Sequence, residues 1–167
     1  EKSEEEVKDG MDIALCSLNG KTLKYAGAHN PLWIIRDCDP GLVEEFDNLH
    51  GVKLTSNGNI HLIEVRATKQ PIGKYDEPTP YQTHEIELKE NDVFYIFSDG
   101  YVDQFGGESG KKMKRARMKN LLLAHKSESM NGQKNQLLEY FDQWRGEYAQ
   151  IDDVCVIGIR VHEDPLT

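Results

Sequence analysis

Residues 93–103 read Val-Phe-Tyr-Ile-Phe-Ser-Asp-Gly-Tyr-Val-Asp. The first five residues of this stretch form an uninterrupted apolar run of aromatic and β-branched side chains, which is typical of a β-strand. Asp99 follows almost directly, and Gly100 allows the chain to turn sharply and a ligand to come close. The stretch therefore predicts a strand that carries a carboxylate at its end.

A second acidic segment lies near the end of the chain. Asp152 and Asp153 directly precede an apolar run at 154–161, so here the acids begin a strand. Strand ends are rigid and open to water, and carboxylate oxygens are the ligands that hard cations such as Mg²⁺ and Mn²⁺ prefer. We therefore expect Asp99 and Asp152 to be ligands of one divalent-metal site.

Each acidic segment, taken alone, also fits an ordinary structural role. An Asp-Gly pair at 99–100 is a common turn, and an acid pair at 152–153 is a normal solvated start to a strand. The repetition of strand plus acid favours the metal site, because the chain between the two can return to the same sheet. Asp103, four residues after Asp99, can join the surroundings of the site.

The chain before this stretch consists of short β-type runs. Asn19-Gly20 between two apolar runs predicts a hairpin with a type I′ turn, which requires two positive φ values. The polar stretch 37–59 is expected to be a surface insertion with at most a small hairpin, and the proline-rich stretch 69–80 an ordered loop. The expected strands are 13–18, 22–25, 32–36, 60–65, 84–88, 92–97 and 154–161.

After residue 103 the hydrophobic period becomes helical. Two segments keep the i, i+3, i+4, i+7 spacing of amphipathic helices, and Ser129 or Asn131 can cap the second. The sequence predicts an α+β fold of mainly antiparallel sheet, with both helices packed on one face. The residues that carry the spacing are Met118, Leu121, Leu122 and His125, then Leu137, Phe141, Trp144 and Tyr148.

The composition is that of an ordinary globular domain. The 167 residues carry a net charge of −9, which disfavours nucleic acid as a partner. Mean hydropathy is −0.65, and no apolar run approaches the roughly 20 residues needed to cross a bilayer. Three scattered cysteines suggest neither a disulfide framework nor a zinc site. We expect a cytoplasmic protein, or the cytoplasmic part of a larger one, without direct membrane insertion.

Four motifs together resemble a known family. Phe-Ser-Asp-Gly-Tyr-Val-Asp at 97–103 and Asp-Asp-Val at 152–154 resemble the metal motifs of the PPM superfamily of metal-dependent serine/threonine phosphatases, which includes the type 2C enzymes. Tyr-Ala-Gly-Ala-His-Asn-Pro at 25–31 and Pro-Ile-Gly at 71–73 are similar to motifs of its bacterial SpoIIE-like branch. The motifs follow the family order and cover nearly the whole chain.

The resemblance implies an activity, cofactors and partners. It implies hydrolysis of phosphoserine or phosphothreonine on a regulatory protein, with two Mn²⁺ or Mg²⁺ ions that activate water. Asp99 and Asp152 would be the catalytic metal ligands, Asp153 a further candidate ligand, and Asp103 and Gly100 neighbours of the site. A homodimer is possible.

The resemblance also shows an absence. Such phosphatases carry an upstream Gly-Asp-x-x-Gly-His-Gly type of motif whose aspartate bridges the metals, and residues 1–167 contain none. The chain therefore resembles the C-terminal part of a single such domain, with little or no turnover expected from it alone.

Other residues leave alternatives open. His29 suits a general acid or a structural hydrogen bond. Lys111 and Lys112 begin a basic stretch that either attracts a phosphorylated substrate or forms a solvated helix start. A haloacid-dehalogenase phosphatase is disfavoured because Tyr101 stands where that class needs a second aspartate. An inert partner-binding or dimerising module is the other alternative.

Overall fold

The computed structural model describes residues 10–43, 46 and 51–162. Within these residues the chain forms twelve strands and three α-helices, with a 3₁₀ turn at Pro40–Leu42. The strands are β1 (Gly10–Met11), β2 (Ile13–Asn19), β3 (Thr22–Ala28), β4 (Leu32–Asp37), β5 (Val52–Asn57), β6 (Ile60–Val65), β7 (Ile72–Gly73), β8 (Thr83–Glu87), β9 (Val93–Phe97), β10 (Phe105–Gly106), β11 (Lys111–Lys112) and β12 (Val156–Arg160). The helices are α1 (Gly100–Asp103), α2 (Arg115–Ala124) and α3 (Met130–Arg145).

Two antiparallel sheets organise the described residues. A five-stranded sheet has the order β12-β9-β4-β6-β5, and a three-stranded sheet has the order β2-β3-β8. The short pairs β1-β7 and β10-β11 form two small additional ladders. The expected α+β class with mainly antiparallel sheet is confirmed.

The five-stranded sheet lies between two layers because its strands are apolar on both faces. Along β4, Trp33 and Ile35 belong to the cluster shared with the helices, while Leu32 and Ile34 belong to the cluster shared with the three-stranded sheet. Side chains alternate across a strand, so a continuous apolar run fills both cores. The helix-side core includes Tyr95, Met118, Leu122, Leu137 and Phe141, and the other includes Leu23, Tyr25, Ile63, Ile86 and Phe94.

The predicted β2-β3 hairpin is present, but its turn differs from the expected type. Asn19 pairs with Thr22, so Gly20 and Lys21 are the central residues. Gly20 has φ 56°, whereas Lys21 is not among the residues with positive φ. The type I′ prediction is wrong because the strand pairing extends through Asn19 and moves the turn by one residue.

The stretch 37–59 supplies a strand to the main sheet. β5 is an edge strand and pairs with β6 through a tight hairpin in which Asn57 is opposite Ile60. Residues 44, 45 and 47–50 lie outside the described part of the chain. The expected loop 69–80 contains the short strand β7, which pairs with β1.

The two longer helices include most of the residues with helical spacing, whereas the short helix α1 was not predicted. Ser129, one of two candidate caps, accepts a hydrogen bond from the Gly132 N–H at 3.1 Å through its hydroxyl, while Asn131 lies inside α3. The helix ends at Arg145, one turn earlier than the hydrophobic spacing suggested, because Gly146 has φ 51°. Among the described residues, no helix is long and apolar enough to span a membrane.

Candidate metal centre

The ends of β9 and β12 meet at one end of the five-stranded sheet. The two strands are antiparallel, with Val156 opposite Phe97, so β9 finishes where β12 begins. Ser98 joins them by three hydrogen bonds: its N–H donates to Cys155 O at 3.0 Å, its hydroxyl donates to Asp153 O at 2.8 Å, and Oγ accepts from the Cys155 N–H at 3.0 Å. We call this the carboxylate end of the sheet, because Asp99 and the segment 152–153 lie beside each other there.

Gly100 makes this close approach possible. A Cβ atom at position 100 would lie 2.4 Å from Asp153 O, closer than real Cβ contacts. The buried Gly100 begins α1, in which the Asp103 N–H donates to Asp99 O at 2.9 Å. Glycine is therefore required here for space, and the turn after β9 packs directly against the residues that precede β12.

The acidic side chains at the carboxylate end face solvent. Asp99, Asp152 and Asp153 are all exposed. Asp152 Oδ1 accepts from the Asp153 N–H at 2.7 Å, and Gln150 donates to Asp152 O at 2.9 Å. The backbone around the acid pair is thus held by local hydrogen bonds, while Asp99 has carboxylate oxygens available to a cation.

Carboxylate oxygens are the donors that a hard divalent cation prefers. Asp99 and Asp152 would hold the ion, with Asp153 beside them. In the part of the chain that the structure describes, no group of three or more His, Cys, Asp or Glu side chains is arranged to hold a metal. The described residues therefore fit as part of a coordination shell, and water or other groups would have to supply the rest.

Asp103 pairs with a cation. Its Oδ2 lies 2.7 Å from Lys112 Nζ, and both side chains are partly exposed. Lys112 is on β11, and it pairs with Phe105 of β10 in the ladder. The ion pair holds the ammonium of Lys112 at Asp103, which is one helical turn after Asp99. Lys111 is exposed on the same short strand.

The β10-β11 hairpin is fixed on α3 by Trp144. The indole Nε1–H donates to Gln104 O at 3.1 Å, and Trp144 O accepts from the Gly107 N–H at 2.7 Å. A Cβ atom at Gly106 would lie 1.8 Å from Trp144 O. No local sequence pattern connects these glycines with a tryptophan so far along the chain.

His29 and Asp12 form a pair at the carboxylate end. His29 Nδ1 lies 2.8 Å from Asp12 Oδ1, and each side chain is 42% exposed. β4 begins at Leu32 and is antiparallel to β9, so the residues just before β4 lie at the same end of the sheet as Asp99. Sequence reasoning missed Asp12, because only the pairing of Ile13 with Ala28 brings it beside His29.

A comparison with known families identifies the chain. The sequence profile of the family described as Stage II sporulation protein E (SpoIIE) matches residues 9–162, which is nearly the whole chain. The chain belongs to the SpoIIE family. The resemblance that the four sequence motifs indicated is therefore confirmed, whereas no curated protein sequence matches the chain.

Solved structures share the fold of this SpoIIE-family chain. The SiaA-PP2C domain of Pseudomonas aeruginosa is 24% identical with a TM-score of 0.64, over 85% of this chain and 47% of that one. The phosphatase domain of the cell fate determinant SpoIIE from Bacillus subtilis, presoaked with Mn, is 15% identical with a TM-score of 0.55, over 93% of this chain and 58% of that one. A serine/threonine phosphatase of S. agalactiae is 15% identical with a TM-score of 0.51, over 97% and 63% respectively. The SpoIIE-family chain thus spans about half to two thirds of the length of these structures.

Proposed function

We propose that this SpoIIE-family domain takes part in Mn²⁺- or Mg²⁺-dependent hydrolysis of phosphoserine or phosphothreonine on a regulatory protein. The observation that carries the proposal is the joining of β9 and β12 by Ser98, which brings Asp99 beside Asp152 and Asp153. The three solved structures reported above are named as phosphatases or as a PP2C domain, and one was presoaked with Mn. These names support the same activity for this chain.

The proposed chemistry assigns a task to each group at the carboxylate end. A bound divalent ion would lower the pKa of a coordinated water molecule and would stabilise the negative charge on the phosphate during hydrolysis. Asp99 and Asp152 would hold the ion in place. Lys112, tethered by Asp103, would contact the non-bridging oxygens of the phosphate, because ammonium groups form strong charge-assisted hydrogen bonds with phosphate. The exposure of these residues allows a loop of a folded phosphoprotein to reach them.

A second candidate function is an inert module that binds a partner or dimerises. The observation in its favour is the partial donor set: no three acidic or histidine side chains converge within the described residues. A site with two carboxylates from this chain would bind Mn²⁺ weakly unless further ligands join it. Because further ligands have to join the site, the phosphatase activity of the whole protein is also proposed.

Metal-dependent phosphate release decides between the two candidates. Mn²⁺ is titrated into the protein, in its natural flanking sequence where it has any, and hydrolysis of an aryl phosphate and of a phosphoserine peptide is followed. We expect turnover that requires Mn²⁺ and falls at least 100-fold in Asp99→Asn, because a metal ligand is lost. The control Asp39→Asn changes an exposed acid outside the carboxylate end. If hydrolysis is absent, or if Asp99→Asn hydrolyses as fast as the control, the phosphatase proposal fails and the binding module is favoured.

A further inference from the structure

The pair formed by His29 and Asp12 is not used by the chemistry assigned above. We propose that His29 is a catalytic residue that donates the proton to the departing serine or threonine oxygen, and that Asp12 positions its ring. This inference rests on the proposed phosphatase function and adds the group that protonates the product.

Strand register places His29 at the carboxylate end. Trp33 of β4 is opposite Tyr95 of β9, and the strands are antiparallel, so the chain before β4 approaches the chain after β9. His29 precedes β4, and Asp99 follows β9. Both therefore lie at the same end of two adjacent strands.

The backbone around His29 is held in one conformation. The His29 N–H donates to Thr68 O at 3.0 Å, and the Asn30 N–H donates to Ala28 O at 2.7 Å. The buried Tyr25 donates its hydroxyl hydrogen to Asn30 O, also at 2.7 Å. These contacts hold the backbone that carries the imidazole, and they do not use its ring nitrogens.

Stability does not account for the pair. An exposed ion pair contributes at most about 1 kcal/mol. His29 has φ 57°, and a left-handed conformation costs a residue with a Cβ atom about 1–2 kcal/mol. The fold thus gains little from a histidine at a backbone position that suits glycine. Strained residues of this kind concentrate at functional sites.

The hydrogen bond determines which nitrogen can act. Asp12 Oδ1 accepts from the protonated Nδ1 of His29, which leaves Nε2 as the nitrogen that exchanges a proton with the substrate. No hydrogen-bond partner of Nε2 is present among the described residues. An aspartate that orients a histidine through Nδ1 in this way is a known device for acid–base catalysis.

In the proposed step, water takes up the phosphoryl group while His29 protonates the oxygen that leaves. The oxygen of the attacking water forms a bond to phosphorus, and its proton goes to solvent. The bond between phosphorus and the serine Oγ breaks, Oγ keeps the electron pair, and it receives the proton from Nε2 of the His29 imidazolium. The products are inorganic phosphate and the free hydroxyl, and solvent returns a proton to His29.

The role of His29 can be tested by comparing kcat on two substrates whose leaving groups differ in their need for a proton. A serine alkoxide needs protonation as it departs, whereas the phenolate of p-nitrophenyl phosphate does not. We expect His29→Asn to reduce kcat on a phosphoserine peptide by about 100-fold or more, and to change kcat on p-nitrophenyl phosphate by less than about threefold. Asparagine tolerates positive φ, so the variant should remain folded. Asp12→Asn should show the same selectivity with a smaller loss.

The matched control is His125→Asn. His125 forms a similar pair with Glu128, also at 2.7 Å, at the end of α2, and we expect no selective effect there. If His29→Asn reduces kcat equally on both substrates, His29 is not the proton donor and its role is structural. A wild-type protein that hydrolyses neither substrate would instead overturn the proposed function, and the role of His29 with it.

Imidazole ¹⁵N spectra give a readout that does not depend on turnover. We expect the neutral His29 ring to carry its proton on Nδ1 in the wild-type protein. The Nδ1–H tautomer should lose population in Asp12→Asn. A spectrum that places the proton on Nε2 in the wild-type protein would contradict the assigned geometry, even if hydrolysis depends on His29.

Discussion

At the scale of single residues, backbone contacts bring the candidate ligands together. Asp99 and Asp153 are far apart in sequence, and the three hydrogen bonds of Ser98 and the missing Cβ of Gly100 place them side by side. The acids could be predicted from the sequence, because strand-plus-acid patterns are local. The contacts of Ser98 and Asp12 could not be predicted, since both depend on which strands become neighbours.

Replacement of Gly100 tests whether this close approach matters. Gly100→Ala places a Cβ atom 2.4 Å from Asp153 O, so one of the two strand ends has to move. We expect a loss of about 1–3 kcal/mol in unfolding free energy and weaker Mn²⁺ binding. Urea denaturation and Mn²⁺ titration by electron paramagnetic resonance measure the two effects. Gly41→Ala is the control, because a Cβ atom there meets nothing within 4 Å; equal stability and Mn²⁺ affinity in the two variants would show that the contact is unimportant.

The ammonium of Lys112 gives a second prediction at this scale. If it contacts the substrate phosphate, Lys112→Gln should raise KM for a phosphopeptide by about tenfold, since charge-assisted hydrogen bonds contribute about 1.5–3 kcal/mol and exposure reduces that value. The thermal stability should change little, because the pair with Asp103 is exposed. Lys89→Gln on a distant loop is the control. A KM unchanged in low-salt buffer would exclude Lys112 from the phosphate site.

At the scale of elements, local signals predicted most of the structure. The β2-β3 hairpin, the strands at 32–36, 60–65 and 92–97, and both long helices have strong periodicity or turn residues, and each is present. The short ladders β1-β7 and β10-β11 were missed, because pairs of two residues have no detectable period. Trp144 of α3 holds the β10-β11 ladder, so the position of that ladder depends on α3.

The cap of α3 provides a prediction for an element. Ser129 Oγ accepts from the Gly132 N–H, which satisfies one of the free donors in the first turn. Ser129→Ala should therefore lower the unfolding free energy by about 1 kcal/mol. Urea denaturation followed by circular dichroism measures the change. Ser127→Ala, two residues earlier and exposed, is the matched control and should stay within about 0.5 kcal/mol of the wild-type protein; a similar loss in both variants would remove the capping explanation.

At the scale of the whole molecule, the order of layers could not be predicted from the sequence. The alternation of Trp33 and Ile34 between two cores shows why the apolar run of β4 is continuous, yet such a run is equally consistent with several sheet arrangements. Ile157 and Ile159 on the edge strand β12 are 45% and 41% exposed, so the described part of the chain leaves this face of β12 largely uncovered.

Three tyrosines buried in the two cores allow a prediction of how the stability of the protein changes at alkaline pH. Burial raises the pKa of Tyr25, Tyr95 and Tyr101, because the phenolate would lose its hydration. In the unfolded chain these hydroxyls ionise near pH 10, so above about that pH the unfolded state gives up protons that the folded state keeps. Their contribution to stability is therefore complete below about pH 10 and declines as the pH rises further.

The substitution Tyr95→Phe measures the contribution of one of these tyrosines to stability. Its hydroxyl donates to Gln133, so Tyr95→Phe should cost about 1 kcal/mol at neutral pH. Above about pH 10, however, the variant should lose stability less steeply than the wild-type protein, because it has one fewer phenol to ionise on unfolding. Urea midpoints between neutral pH and about pH 11 measure both effects. Tyr75→Phe changes an exposed ring and should follow the wild-type curve. Parallel curves for Tyr95→Phe and the wild-type protein would show that ionisation of Tyr95 is not linked to unfolding.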